Sequence, residues 1–339
     1  MATIKEIAEL AGVSTTTVSN VIHGKTKKVS PANIERIEKL IDEMGYVQKM
    51  GLRVLNNDSS QLIAVVVNSH KEYDDAILAD PFYGKILGFI EERIRSLGYY
   101  MMFYSASDID DIFKMVMAWN VDGVIALTFA KKDCQKIHSM IHKPVISIDA
   151  YGEIDGEQQV LNIGLDDING GYLMTQYLLK CGYENIFVCA TRDHGVDHLR
   201  WIGAQKAMQE EEEKEKKKLQ FVALGKSRYS RENHYQQMAR QIPFKKKTAV
   251  FFLSDLFALE AISFFADQGI EIPKQIGVAG YDDIMFARLA VPRLTTIHQD
   301  IRRKADLAVD ELLKCIKGQN AERIGDYKLP VTLVARQSV

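Results

Sequence analysis

The chain has 339 residues, 47% of them apolar, with 43 Lys and Arg against 45 Asp and Glu. That length suits two or three domains, the apolar share supports a large core and argues against a disordered chain, and a net charge of −2 argues against a polybasic nucleic-acid coat or membrane protein. Four scattered cysteines (Cys134, Cys181, Cys189, Cys315) lack metal-type spacing and read as buried or idle thiols of a reducing cytoplasm; the N-terminus shows no apolar h-region and no run approaches a membrane span, so neither secretion nor membrane insertion is expected.

In chain order, Thr3 to Gly45 predicts three short amphipathic helices. Thr3 is placed to cap the first, with Glu6 as its capping-box partner, and Ile4, Ile7, Ala8 and Ala11 recur at helical spacing. Gly12 and Val13 make a turn, and Ser14 is placed to cap the second helix. There Val18, Val21 and Ile22 form the buried stripe, with Thr15, Thr16, Ser19 and Asn20 on the other side. Ser30 and Pro31 start the third helix, with Ile34, Ile37, Leu40, Ile41 and Met44 inward and Gly45 stopping it. A glycine turn between two helices, the second with a hydrogen-bonding outer face, is what a helix-turn-helix reader needs. The first sixty residues hold eight Lys and Arg against seven Asp and Glu, so bulk charge is a weak argument for DNA. The positive charge is nevertheless clustered at Lys25, Lys27, Lys28, Lys49 and Arg53, while Glu35, Glu38, Asp42 and Glu43 sit on the third helix. Met50 to Leu55 reads either as a short helix or as plain linker; six residues are too few alone, and Gly51 costs roughly 1 kcal/mol more.

From Leu62 the texture alternates strand and helix. LIAVVV, YMMFYSA, VDGVIALT and PVISID read as strands with helical patterns between them, PFYGKILGFIEERIRSLGY being the first. A second round near Asn162 has a helix over Gly171 to Cys181 and strands NIFVCA, FVALG, TAVFFLS and IGVAGYDD. The expectation is a parallel α/β core in two rounds. The run Glu210 to Lys218 spaces Glu210 from Lys214 and Glu212 from Lys216 as on a helix, and reads as the solvated end of one; partner binding is the alternative.

Residues 1 to 46 resemble the DNA-binding head of the lactose/galactose repressor family of bacterial transcription regulators. The resemblance is carried by Thr3, Ile4, the run Ala8 to Ser14, Thr17-Val18-Ser19, Val29-Ser30 and Gly45-Tyr46. The remainder is similar to the family's effector core, with its two lobes like those of periplasmic sugar-binding proteins. The landmarks include Asp80-Pro81-Phe82-Tyr83, Val121-Asp122-Gly123, Asp166-Asp167, Arg200 with Gly203, Ser254-Asp255 and Gly280-Tyr281-Asp282-Asp283. The expected layout is a head at 1–47, a hinge helix and linker at 48–60, and a core at 61–339. Its first lobe is placed at about 61–160 and 294–318, and its second at about 161–291 and 319–339.

The resemblance implies base contacts from Thr15, Thr16 and Asn20, and backbone contacts from Thr3, Ser14, Thr17, Ser19, His23, Lys28 and Ser30. Thr suits a base acceptor or a thymine methyl, and Asn pairs with adenine. Family members often carry Arg at the Asn20 position, so the operator is expected to differ. The hinge is implied to order on operator DNA and insert Leu55 into the minor groove. The chain departs from the pattern at Gln48, where Pro is common, at Gly51-Leu52, where Val-Ala is usual, and in a linker one residue shorter.

An effector site between the lobes is implied at Asn68, Phe82, Asp149, Arg200, Tyr229, Ser254 and Asp282. Carboxylates and Arg suit hydroxyl groups, and an aromatic ring suits the C–H face of a sugar. The structural alternatives are helix capping by the aspartates and pairing of Arg200 with Asp282 or Asp149. Ser254 stands where the family often has Asn, which argues against binding in the lactose repressor's manner.

The pairs His138/His142 and His194/His198 have i, i+4 spacing but no third ligand, so no metal is expected; the second pair stands near Arg200 and the effector. No cofactor motif and no catalytic Ser-His-Asp order is present. Asp282-Asp283 points apart on a strand end, and the Met patches read as core filler. The expected protein is a cytoplasmic, homodimeric repressor, not an enzyme. Its partners are pseudo-palindromic double-stranded operator DNA and a carbohydrate-like effector, with no membrane. No heptad tail follows Val331, which favours a dimer over a tetramer. The alternatives are an intracellular sugar-binding protein without regulatory DNA binding and a nucleotide-dependent α/β enzyme.

Overall fold

The computed structural model describes residues 2–22, 24–46, 59–69, 77–154, 160–212, 214–241, 247–319 and 326–339. The chain divides into two units, 1–60 and 61–339. The sequence-read hinge at Met50 to Leu55 lies outside the described residues, as does His23.

In the first unit three helices, α1 (Ile4–Ala11), α2 (Thr15–Ile22) and α3 (Pro31–Glu43), follow the sequence reading closely. Thr3 starts α1 with a reciprocal capping box: its hydroxyl accepts from the Glu6 amide while the Glu6 carboxylate accepts from the Thr3 amide. Gly12 ends α1 at φ 65, a left-handed geometry that favours glycine. Ser14 and Ser30 accept the amides of Thr17 and Asn33 at the starts of α2 and α3. Ile7, Ala8, Ala11, Val18, Val21 and Ile37 close the core.

The second unit carries two six-stranded sheets. In the first lobe β1 (Leu62–Asn68), β2 (Tyr100–Ala106), β3 (Gly123–Leu127), β4 (Val145–Ile148), β5 (Leu161–Leu165) and β11 (Tyr327–Leu329) lie in the order β11-β5-β4-β3-β1-β2, all parallel. In the second lobe β6 (Asn185–Ala190), β7 (Lys218–Ala223), β8 (Thr248–Phe252), β9 (Gly277–Asp282), β10 (Thr295–Gln299) and β12 (Val331–Val334) lie in the order β12-β10-β9-β8-β6-β7, with β12 antiparallel. Helices cover both faces, so β3 and β8 are buried throughout, as is β1 beyond Leu62, and all three read as apolar runs without alternation. Those helices are α4 (Pro81–Ser96), α5 (Ile109–Trp119), α6 (Lys131–Ile141), α7 (Asp167–Lys180), α8 (Val196–Gln209), α9 (Arg228–Gln241), α10 (Asp255–Asp267) and α11 (Ile301–Ile316).

The lobe boundaries differ from the sequence reading. β5 belongs to the first lobe because it pairs with β4, Ile146 opposite Leu161. β10 belongs to the second because it pairs with β9, Thr296 opposite Gly280, and β11 completes the first sheet. The chain thus crosses at three single residues: Asp166 between β5 and α7, Asp300 between β10 and α11, and Pro330 between β11 and β12. Both aspartates are helix N-caps, accepting the amides of Asn169 and Arg303. The charge run is also corrected: α8 stops at Gln209, before it. Glu210 instead accepts from the Tyr172 hydroxyl and Glu211 pairs with Lys217 at 3.0 Å, tying the run back onto the second lobe.

Helices α7 and α8 meet through two glycines. A Cβ on Gly203 would overlap the Ile168 carbonyl, and one on Gly171 the Arg200 carbonyl. Gly203→Ala should push the helices apart and displace Arg200, lowering stability by about 1–3 kcal/mol. Urea unfolding of the full chain, monitored in the core, checks this; an unchanged midpoint would refute the close packing.

Candidate functional site

Parallel strands end together, so their carboxyl edges gather loop residues along one side of each lobe. Between the two edges lies a cleft of about 640 Å³, within the range of small-molecule sites. Asn68, Phe82, Asp149, Arg200, Ser254 and Asp282 all line it. Tyr229 does not: it is 76% exposed on the first turn of α9, outside the cleft lining, while its neighbour Arg228 takes the wall position.

Several lining residues are spent on one another. Lys304 is fully buried, and its ammonium donates to both Asp149 oxygens at 2.9 and 2.8 Å and to Gln299 Oε1 at 2.8 Å. Gln299 Nε2 then donates to Asp282 Oδ1 at 2.6 Å. This string runs from the first lobe to the second across the Asp300 joint. Neither of the sequence alternatives for Asp149 describes it, since the residue neither caps a helix nor pairs with Arg200. Arg200 instead donates to Asp167 at 2.8 Å and to the Leu253 carbonyl at 2.7 Å, with its guanidinium 3.6 Å from the centre of the Tyr281 ring.

Burial sets the electrostatics. It pushes the Asp282 carboxyl up to about 7; Arg200 opposes the shift and Asp80 adds to it. It pushes Asp197 up to about 6, with Arg200 and Arg192 opposing. Burial alone would make Arg200 easier to deprotonate, but Asp167, Tyr281, Asp282 and Asp197 outweigh it and hold the charge firmly in place. Asp255, off the cleft, accepts from the Thr296 hydroxyl and the Ile284 amide and fixes the β8–β9–β10 edge.

Asp197, Gln299 and Lys304 escaped the sequence reading, and Asp80 and Asp167 stood in it only as landmarks, not as site residues. Lys304 left one trace: it sits on the inward stripe of α11 beside Ile301, Ala305 and Ala308, where a lone lysine needs a partner. The histidine pairs are accounted for otherwise. His138 bonds the Lys143 carbonyl, His142 ends α6 in the left-handed conformation, and His194 pairs with Asp193 and leans on Tyr151. His194 and His198 are exposed and do not line the cleft. Among the described residues no group of three or more His, Cys, Asp or Glu is arranged for a metal, and no helix is long and apolar enough to cross a membrane.

In the head, Thr15 and Thr16 are exposed at the start of α2, and Ser19 and Asn20 are half-buried one turn on. Lys28 is exposed in the one-turn helix Thr26–Lys28. The Thr3 hydroxyl both accepts within its cap and donates to Glu6, and the Ser14 and Thr17 hydroxyls bond each other at 2.9 Å. These residues therefore first shape the helix starts. Leu55 lies outside the described residues.

Removing the Lys304 ammonium strands Asp149 in the interior. Lys304→Ala should cost about 3–5 kcal/mol, and adding Asp149→Asn should recover part of it; urea midpoints of the single and double variants measure both. Asp282 supplies a pH dependence. Its folded carboxyl titrates near 7 and its unfolded one near the usual 3.8, so the folded chain holds a proton that the unfolded chain has released. This group's contribution to stability is therefore lost as pH climbs from about 4 to about 7. Relative to wild type, the melting temperature of Asp282→Asn should improve steadily from pH 5 to 8 at constant ionic strength; a flat difference would contradict the shift.

Residues 3–49 match the family described as bacterial regulatory proteins, lacI family, and residues 175–339 match the periplasmic binding protein-like domain. The chain is 29% identical to the HTH-type transcriptional repressor PurR of Haemophilus influenzae (strain PittEE), over 100% of this chain and 99% of that one. It is 29% identical to the PurR repressor of Mannheimia succiniciproducens, again over 100% and 99%. Among solved structures, the lac repressor dimer bound to operator and the anti-inducer ONPF is 25% identical with a TM-score of 0.80, covering 99% of this chain and 98% of that one. With a helix-turn-helix head that matches the lacI family of bacterial regulatory proteins and a two-lobed core, the chain is a sequence-specific DNA-binding transcriptional regulator.

Proposed function

We propose that the protein is a cytoplasmic repressor that binds a pseudo-palindromic operator as a homodimer and is controlled by a carbohydrate-like effector in the cleft between its lobes. The observation that carries the reading is the pairing, in one chain, of a reader helix with two adjacent exposed threonines and a cleft whose walls come from two lobes joined at single residues. Thr15, Thr16 and Asn20 serve as the base-reading residues. Ser14, Thr17, Ser19, His23, Lys28, Ser30 and Thr3 hold the backbone, and Leu55 enters the minor groove.

The cleft chemistry supports a polyhydroxylated ligand. Asp149 and Asp282 offer acceptors, and Phe82, Tyr83, Phe103 and Phe257 offer apolar faces for C–H groups. The small molecule in the operator-bound lac repressor relative supports a regulatory ligand as well. Exposed apolar side chains support a second copy as partner. Met285, Phe286, Leu289 and Val291 stand out on the second lobe, Val291 being 90% exposed, and Tyr100, Met117 and Trp119 on the first. An effector that prefers one lobe arrangement shifts the population of the operator-binding form, and the linker at 48–60 transmits the shift.

Thr16→Ala should weaken binding to DNA upstream of the protein's own gene by about tenfold, as loss of a base contact does, with the melting temperature unchanged. Mobility-shift titration measures this. Wild-type protein that binds ligands yet never shifts that DNA would favour the alternative of a sugar-binding protein without regulatory DNA binding.

A further inference from the structure

Strand order fixes which charges stand at which end of the cleft. Along the carboxyl edge of the second sheet, β10 and β9 bring Gln299 and Asp282 to one end. Leu253 and Ser254 follow β8 in the middle, and Arg192 follows β6. Lys226 and Arg228 follow β7 at the far end. The string through Lys304 sets Asp149 beside Gln299, and Asp80 lies near enough to Asp282 to disfavour its ionised form. One end thus gathers three carboxylates, Asp80, Asp149 and Asp282, with the Lys304 ammonium on Asp149 and the Arg200 guanidinium, itself paired with Asp167, near Asp282. At the other, Arg192, Lys226, Arg228 and Arg231 line the cleft, with two carboxylates, Glu260 held by Arg231 and Asp197 near Arg192 and Arg200.

That basic end is a built one. Arg231 is 5% exposed, grips Glu260 through two hydrogen bonds of 2.7 and 2.8 Å, and donates to the Lys226 carbonyl at 2.6 Å. The Ser227 hydroxyl accepts the Ser230 amide in the same turn. The loop that carries Lys226 and Arg228 is therefore pinned by a buried charge. Arg228 pairs with Glu232, but both are open to water, where such a pair holds weakly. Among the described residues, those that β1 and β2 bring to the cleft (Asn68, Ser69, Phe103, Ser105) carry no charge.

Resting on the reading of the cleft as an effector site, we propose that the effector carries an oxyanion, a phosphate or a carboxylate, seated against Arg192, Lys226 and Arg228, with its hydroxyl-bearing part directed toward Asp149 and Asp282. Guanidinium groups receive such anions in two parallel hydrogen bonds, and an ammonium adds a point charge. The reversed orientation sets the anion among Asp80, Asp149 and Asp282, so the polarity of the cleft selects direction as well as ligand class.

The test uses the full-length chain in calorimetric titrations and thermal shifts at matched ionic strength. The probes are inorganic phosphate and matched sets of neutral sugar, sugar phosphate and sugar acid built on glucose, galactose and ribose. An anionic member should bind where its neutral partner does not, and the phosphate and carboxylate arms show which oxyanion is preferred. Lys226→Gln with Arg228→Gln should weaken that ligand by about tenfold or more, while Lys226→Arg with Arg228→Lys retains most of the affinity. Neutral sugars binding alone, or an anion whose affinity survives the double glutamine change, overturns the charge assignment and leaves the effector reading standing. No response from any probe, neutral or charged, overturns both.

Discussion

The core depends on one buried lysine. Lys304 has no contact with water, and every proton of its ammonium is engaged, two on Asp149 and one on Gln299. A charge in that position is tolerated only because it is met in full, since an unpaired ion in the interior costs several kcal/mol. Its partners lie on both sides of the Asp300 joint, so the relative position of β4 and β10 is set where the chain passes from one sheet to the other. Gln299 extends the constraint to Asp282. Two carboxylates on the cleft wall are therefore held by the same string that aligns the lobes.

Arg200 performs the corresponding task within the second lobe. It joins Asp167, just past the Asp166 joint, to the end of β8 through the Leu253 carbonyl. Tyr281 covers its face and also donates to Asp167. The glycine contact between α7 and α8 is what lets Arg200 come so close to Asp167. Cleft chemistry and helix packing are thus one problem, and a methyl group at Gly203 is felt at the binding wall.

The head was legible because its signals are local. A capping box, a left-handed glycine and a serine before Pro31 each operate within four residues, and they fix helix starts whatever surrounds them. The strands were legible because buried parallel strands are simply apolar runs. The lobe assignment of β5 and β10 was not, because it depends on which neighbour each strand pairs with across long separations of sequence. The charge run failed for a similar reason: its spacing suits a helix, but Tyr172 and Lys217 draw Glu210 and Glu211 elsewhere. In the cleft, residues carrying the resemblance were found, apart from Tyr229. Their partners Asp167, Gln299 and Lys304 were not, since nothing in the residue types alone says that a lysine in an amphipathic helix reaches Asp149.

The three crossings carry a mechanical consequence. Asp166, Asp300 and Pro330 are single residues, and one extended residue spans only about 3.3–3.6 Å. The Asp166 amide donates to the Leu329 carbonyl, so two of the three straps are laced side by side. Such straps cannot stretch, and the lobes have almost no freedom to slide or separate along that edge. What remains is angular motion about it. A ligand's grip is accordingly converted into rotation, and a small turn at the straps becomes a long sweep at the opposite rim, in the manner of a lever with a fixed fulcrum.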